Sequence, residues 1–190
     1  MGAERWEQLA SWNPDPSVAL LQLQAKFLAD NFDFEGVVRD SLANAKESVR
    51  FTREEGDPYQ LLDIYQSDLE YLEEISSRPL PTDPQERIAI LRRIYQSGAQ
   101  GLGNILDIES VEGFGVESDD DGWPLISRPL TEKEIQAGLG SATPTIEEAK
   151  KGGYKLSRSL SLDRGESICF PVYDESRQPV GWWFIGYTVD

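Results

Sequence analysis

The 190-residue chain carries 34 acidic and 18 basic residues, no histidine and one cysteine, which gives a formal net charge of −16. The lack of histidine excludes a Ser–His–Asp triad and removes the commonest metal ligand, and the single Cys169 excludes an internal disulfide. The acidic excess disfavours direct binding to nucleic acid, whose phosphates need Lys and Arg, and to anionic membranes.

The sequence also bears on location. No apolar run approaches the roughly 20 residues that a membrane helix needs, and the N-terminal residues lack the basic and apolar regions of a signal peptide. A single cysteine suits a reducing compartment. We therefore expect a cytoplasmic protein with no membrane segment, no metal and no cofactor.

Residues 17–98 predict a helical half. The first helix follows Pro16 with Ser17 as its N-cap, and the second occupies Glu35–Phe51. Asp57-Pro58 predicts the start of a third helix, over Tyr59–Ser76, because an acceptor at the N-cap followed by Pro is a helix-start signal. Asp83, followed three residues on by Glu86, predicts the fourth.

Residues 106–190 predict a β-rich half, and we expect the two halves to form a single domain, 1–190. The Asp-Gly of Asp119–Gly122 predicts a hairpin turn. Two short helices are expected, at Thr131–Ile135 and Thr145–Lys151, the second ended by Gly152-Gly153. Three strands of a meander follow, over Tyr154–Leu162, Ser167–Asp174 and Gln178–Val189. The predicted fold is α+β, with about four N-terminal helices packed on a mainly antiparallel C-terminal sheet.

The final predicted strand, Gln178–Val189, is apolar on both sides. Trp182 and Phe184 fall on one face, and Trp183 and Ile185 fall on the other. A strand with one solvent-exposed face should alternate apolar and polar residues. This strand does not, so we expect both of its faces to be buried.

Two acidic stretches without a basic residue predict a docking surface for a basic protein. Residues 54–74 carry eight acids and residues 107–121 carry seven. On the third helix, Asp63, Glu70 and Glu74 share one face, opposite the apolar stripe. The predicted function is a non-enzymatic acidic protein-binding module, such as an inhibitor, an immunity-type protein or an adaptor. The predicted partner-binding residues are Asp63, Glu70, Glu73, Glu74, Asp107, Glu109, Glu112, Glu117, Asp119, Asp120 and Asp121.

Three alternative interpretations of these acids stay open. The first is a solvated surface that Arg87, Arg92 and Arg93 partly neutralise. The second is a calcium loop at Glu117–Gly122, which would place Arg128 where the loop needs a bidentate Glu. The third is a carboxylate-dependent hydrolase, which needs two acids that face each other in a deep cleft.

The aromatic residues of the final strand support a different function. Trp182, Trp183, Phe184 and Tyr187 could fill a core or line a ligand pocket. Ser167–Asp174 followed by Pro179–Ile185 resembles the closing hairpin of small-molecule sensor domains of the PAS, GAF or Cache kind. The resemblance implies a regulatory domain with a ligand pocket beside this strand.

Overall fold

The computed structural model describes residues 4–57, 59–96, 102, 104–113, 125–163 and 165–188. The described residues form six α-helices and five β-strands, so the fold is α+β, as predicted. The helices are α1 (Pro16–Asn31), α2 (Phe34–Glu55), α3 (Leu62–Ser76), α4 (Pro84–Gln96), α5 (Glu132–Leu139) and α6 (Ile146–Ser159). The strands are β1 (Arg5–Ser11), β2 (Ile108–Val111), β3 (Leu125–Pro129), β4 (Ser167–Tyr173) and β5 (Pro179–Tyr187).

The five strands form one mixed sheet in the order β1-β5-β4-β3-β2. β5 is antiparallel to both β1 and β4, whereas β3 is parallel to both β4 and β2. The expectation of a mainly antiparallel sheet from the C-terminal half is therefore only partly confirmed. The predicted hairpin turn at Asp119–Gly122 lies outside the described residues.

β5 is the strand on which the sheet is built. It pairs along its length with β1 on one side, from Arg5↔Tyr187 to Ser11↔Gly181, and with β4 on the other. On one face, Trp183 and Ile185 belong to an apolar core that also includes Ile135 of α5 and Leu156 of α6. On the other face, Trp182 and Phe184 are also buried. The prediction that both faces are covered is confirmed.

The described chain divides into two compact units. One comprises the described residues of Met1–Phe27 and Ala99–Asp190, and the other those of Leu28–Gly98. Within the first unit, the buried Gln24 of α1 donates hydrogen bonds to the carbonyl oxygens of Ile105 and Ile108, at 3.0 and 2.6 Å. Within the second unit, α2 packs against α3 and α4.

Three elements differ from the sequence prediction. β1 and β2 were not predicted, although β1 pairs with β5 over seven residues and β2 pairs with β3. The strand predicted over Tyr154–Leu162 is wrong, because α6 continues through Gly152-Gly153 to Ser159. The glycines permit close packing here: a Cβ on Gly152 would lie 2.4 Å from Leu139 Cδ2, and one on Gly153 would lie 3.2 Å from Ile185 Cδ1.

Candidate functional site

The helix α3 presents four exposed carboxylates, Asp63, Glu70, Glu73 and Glu74, which we call the α3 acidic face. Leu72 and Ile75 of the same helix are buried. The 3.6-residue period therefore directs the acids toward solvent. The helix begins at Leu62 rather than Tyr59, and the Asp57 carboxylate accepts the N–H groups of Leu61 and Leu62, at 2.8 and 2.9 Å.

The α3 acidic face is only weakly neutralised. Lys46 Nζ lies 3.6 Å from Glu73 Oε1, and an Arg78 guanidinium nitrogen lies 3.8 Å from Glu74 Oε1. All four side chains of these pairs are more than half exposed, and such pairs typically contribute 0 to about 1 kcal/mol. Among the described residues, Asp63 and Glu70 form no ion pair. The face therefore retains most of its negative charge.

Two of the arginines expected to neutralise these acids contact aromatic rings instead. The Arg87 guanidinium lies 5.1 Å from the Phe34 ring centroid, and its Nε donates to the Pro81 carbonyl at 2.6 Å. The Arg93 guanidinium lies 4.2 Å from the Tyr71 ring centroid. In the described part of the chain, neither arginine forms an ion pair with an acid of α3.

The second acidic stretch is only partly described, and its members differ. Asp107 is 8 % exposed, and its carboxylate accepts the N–H groups of Leu102 and Asn104, at 2.7 and 3.2 Å. It caps a 3₁₀ turn at Ile105–Asp107 and leaves little surface for a partner, contrary to the expectation of an exposed binding residue. Glu109 and Glu112 are exposed. The remaining predicted residues, Glu117, Asp119, Asp120 and Asp121, and with them the calcium-loop pattern, lie outside the described residues.

The aromatic residues of β5 belong to the interior. Trp182 and Trp183 are 8 % and 4 % exposed, and Phe184 is fully buried. The Trp182 ring stacks on Trp12, with ring centroids 5.7 Å apart. Tyr187 is half-buried, with its hydroxyl 3.1 Å from Ser157 Oγ. These side chains offer a ligand little surface, so their burial disfavours the pocket expected beside this strand.

Cys169 is the one thiol of the chain, and it lies in the interior of β4. Burial raises its pKa to about 12, although Ser127 and Arg128 lower it slightly. A thiol acts as a nucleophile only as the thiolate. Cys169 is therefore a buried and protonated core residue near neutral pH.

A cleft that the sequence did not predict lies among α2, α3 and α4, and we call it the α2–α4 cleft. It has a volume of about 250 Å³. Burial raises the pKa of Tyr71, one of its lining residues, while Arg93 opposes the rise. Its polar lining side chains come from three separate helices and include Ser41, Asn44, Ser48, Tyr65, Asp68 and Arg93.

The described residues show neither a membrane helix nor a metal site. Within the described ranges, no helix is long and apolar enough to cross a membrane, and no three His, Cys, Asp or Glu side chains group so that they could hold a metal ion. Comparison with known protein families, with curated proteins and with solved structures finds no match.

Proposed function

We propose that this protein is a non-enzymatic binding module that docks a basic protein through the α3 acidic face. The observation that carries the proposal is the concentration of four exposed carboxylates on one helix, of which Asp63 and Glu70 have no ion-pair partner among the described residues. Carboxylates placed in this way attract a cationic surface and repel an anionic one. An inhibitor, an immunity-type protein or an adaptor would use such a face.

The chemistry of the chain supports binding over catalysis. Histidine, the commonest general base, is absent from the sequence. The thiol of Cys169 is buried and protonated near neutral pH. A carboxylate face that mimics nucleic acid and blocks a phosphate-binding site is one form that the proposed binding can take.

The proposal is tested by charge reversal with a matched control. A basic partner captured at low salt from the cells of origin is titrated with three forms of the chain. These are the wild type, D63K/E70K/E74K, and the control D30K/E47K/E175K, which reverses three exposed acids outside α3 and changes the net charge equally. We expect D63K/E70K/E74K to weaken binding at least tenfold, or about 1.4 kcal/mol, and the control to bind almost as the wild type does.

Three outcomes would contradict the proposal. One is the failure of the wild type to capture any basic partner. Another is equal weakening by both triple variants, because the effect would then follow net charge rather than the α3 acidic face. A third is an affinity that does not fall as salt is added, because carboxylate docking on exposed surfaces is screened by ions.

A further inference from the structure

The α2–α4 cleft carries one side chain of each charge. Asp68 comes from α3 and Arg93 from α4. They form no ion pair with each other, and neither is ion-paired with any other residue that the structure describes. The carboxylate of Asp68 and the guanidinium of Arg93 line the same small cleft but are not paired with each other. Both charges are therefore available to a bound ligand.

Arg93 has hydrogen-bond donors that no other described residue uses. Its guanidinium carbon lies 4.2 Å from the Tyr71 ring centroid, which is a cation–π contact. Within the described chain, its N–H groups donate to no other residue. A guanidinium presents these N–H groups as a fork that matches a carboxylate.

Neutral polar groups complete the lining. Ser41, Asn44 and Ser48 follow one another along α2 at spacings of three and four residues, so they share one helix face. Within the described chain, their side chains make no hydrogen bond to another residue. They can therefore donate to or accept from a bound polar molecule.

Size restricts the ligand. The cleft volume of about 250 Å³ is below the range of roughly 300–1,000 Å³ that holds drug-sized molecules. A ligand with only a negative charge would be repelled by Asp68, and a ligand with only a positive charge would be repelled by Arg93. A small molecule that carries both charges satisfies both side chains.

We propose that the α2–α4 cleft binds a small zwitterion of the free α-amino acid class, with the carboxylate on Arg93 and the ammonium group on Asp68. The proposal does not depend on the α3 acidic face, because Asp63, Glu70, Glu73 and Glu74 do not line the cleft. It adds a small-molecule site to a protein-binding module.

The test uses the standard L-amino acids as probes. Each is titrated into the full chain by calorimetry at concentrations up to about 10 mM, since weak binding is expected for so small a ligand. The amino acid that binds best is then compared with its decarboxylated amine and with its deaminated acid. We expect each single-charge relative to bind at least tenfold more weakly than the amino acid.

Paired variants test the two charges. D68N and R93Q should each weaken binding at least tenfold. The control for D68N is D40N, and the control for R93Q is R39Q. Asp40 and Arg39 form an exposed pair on α2, with Arg39 Nε 3.2 Å from Asp40 Oδ1. Both controls should bind the amino acid as the wild type does. R93K keeps the positive charge but loses the fork, so it should bind more tightly than R93Q and serves as the test if R93Q fails to fold.

The proposal is overturned if none of the amino acids binds saturably. It is also overturned if the amine or the acid alone binds as tightly as the amino acid, which would indicate a single-charge site. Unchanged affinity in folded D68N or in folded R93Q would equally exclude the cleft, and unchanged affinity in R93K would exclude the paired N–H contact of Arg93 with the carboxylate.

Discussion

The neighbouring tryptophans Trp182 and Trp183 of β5 are both buried, but their hydrogen bonding differs. Trp182 donates its indole N–H to the Asn13 carbonyl at 2.9 Å, whereas the buried Nε1 of Trp183 has no acceptor among the described residues. A buried N–H group without an acceptor lowers the stability of the folded state. Removing an N–H group that does have an acceptor leaves that acceptor without a hydrogen bond, which also lowers stability.

The two tryptophans should therefore respond differently to the same substitution. W182F and W183F remove similar volume, but only W182F leaves the Asn13 carbonyl without its donor. We expect W182F to lower the free energy of unfolding by about 1–2 kcal/mol more than W183F does. Urea unfolding of both variants measures the difference. Equal losses, or a larger loss for W183F, would show that packing rather than the hydrogen bond sets the cost.

The capping of α5 by Glu134 should make the stability of the protein depend on pH. The Thr131 backbone N–H and then its hydroxyl donate to the Glu134 carboxylate, and with Arg128 they lower the pKa of Glu134 despite some desolvation. A lowered folded-state pKa means that the unfolded chain binds the proton more readily. The stabilisation is therefore present above the carboxyl range and is lost as the pH falls through it.

The E134Q variant isolates this effect. Gln can still accept the capping hydrogen bonds but does not titrate. We expect the stability difference between wild type and E134Q to shrink as the pH falls from about 5 to about 3. Chemical unfolding at each pH measures it. A difference that stays constant or grows toward acid pH would contradict the assignment.

At the scale of elements, the sequence predicted those parts whose signals are local. The start of α4 follows from Asp83, and capping boxes mark α5 and α6 at Thr131 and Thr145. Asp57 accepts the N–H groups of Leu61 and Leu62, but α3 begins at Leu62, three residues later than predicted. β4 and β5 follow from their β-branched and aromatic residues.

The errors come from information that is distant along the chain. Tyr154, Leu156, Leu160 and Leu162 alternate like a strand, but Ala149, Gly153, Leu156 and Leu160 also follow helical spacing. In the observed helix, Gly153 lies close to Arg5 of β1 and Ile185 of β5, which are both more than 30 residues away along the chain. β1 is likewise fixed by β5 at the other end of the chain. Neither contact leaves a local signal.

Gly181 provides a test of how closely β1 and β5 approach. A Cβ at this position would lie 2.5 Å from the Ala10 carbonyl oxygen, which is backbone, and 2.8 Å from Leu9 Cδ1. At Gly152, the nearest atom to an added Cβ is the end of the Leu139 side chain, which can rotate. We expect G181A to lower the free energy of unfolding by about 1–3 kcal/mol and G152A by less. Thermal and urea unfolding compare them, and a larger loss in G152A would refute the close approach.

At the scale of the whole molecule, the candidate sites differ in how far the sequence could predict them. The exposure of Asp63, Glu70 and Glu74 follows from the period of one helix and was predicted. The α2–α4 cleft requires Asn44, Asp68 and Arg93 to line one space from three different helices. Their positions depend on tertiary packing, which composition and spacing do not encode directly.

The formal charge of −16 makes the molecule repel itself, and salt should relieve that repulsion. Raising NaCl from roughly 10 mM to roughly 150 mM shortens the Debye length from about 30 Å to about 8 Å. We expect Tm to rise by about 2–8 °C, which corresponds to roughly 1–2 kcal/mol.

D63K/E70K/E74K should show a smaller rise, because it removes repulsion along α3, where Glu70 and Glu74 lie one turn apart. The control D30K/E47K/E175K, with the same net charge, should rise more than D63K/E70K/E74K does. Calorimetry at the two salt concentrations measures all three proteins. A fall in the wild-type Tm with salt would show that attractive ion pairs outweigh repulsion, and equal rises in the two variants would show that the repulsion is spread over the molecule rather than concentrated on α3.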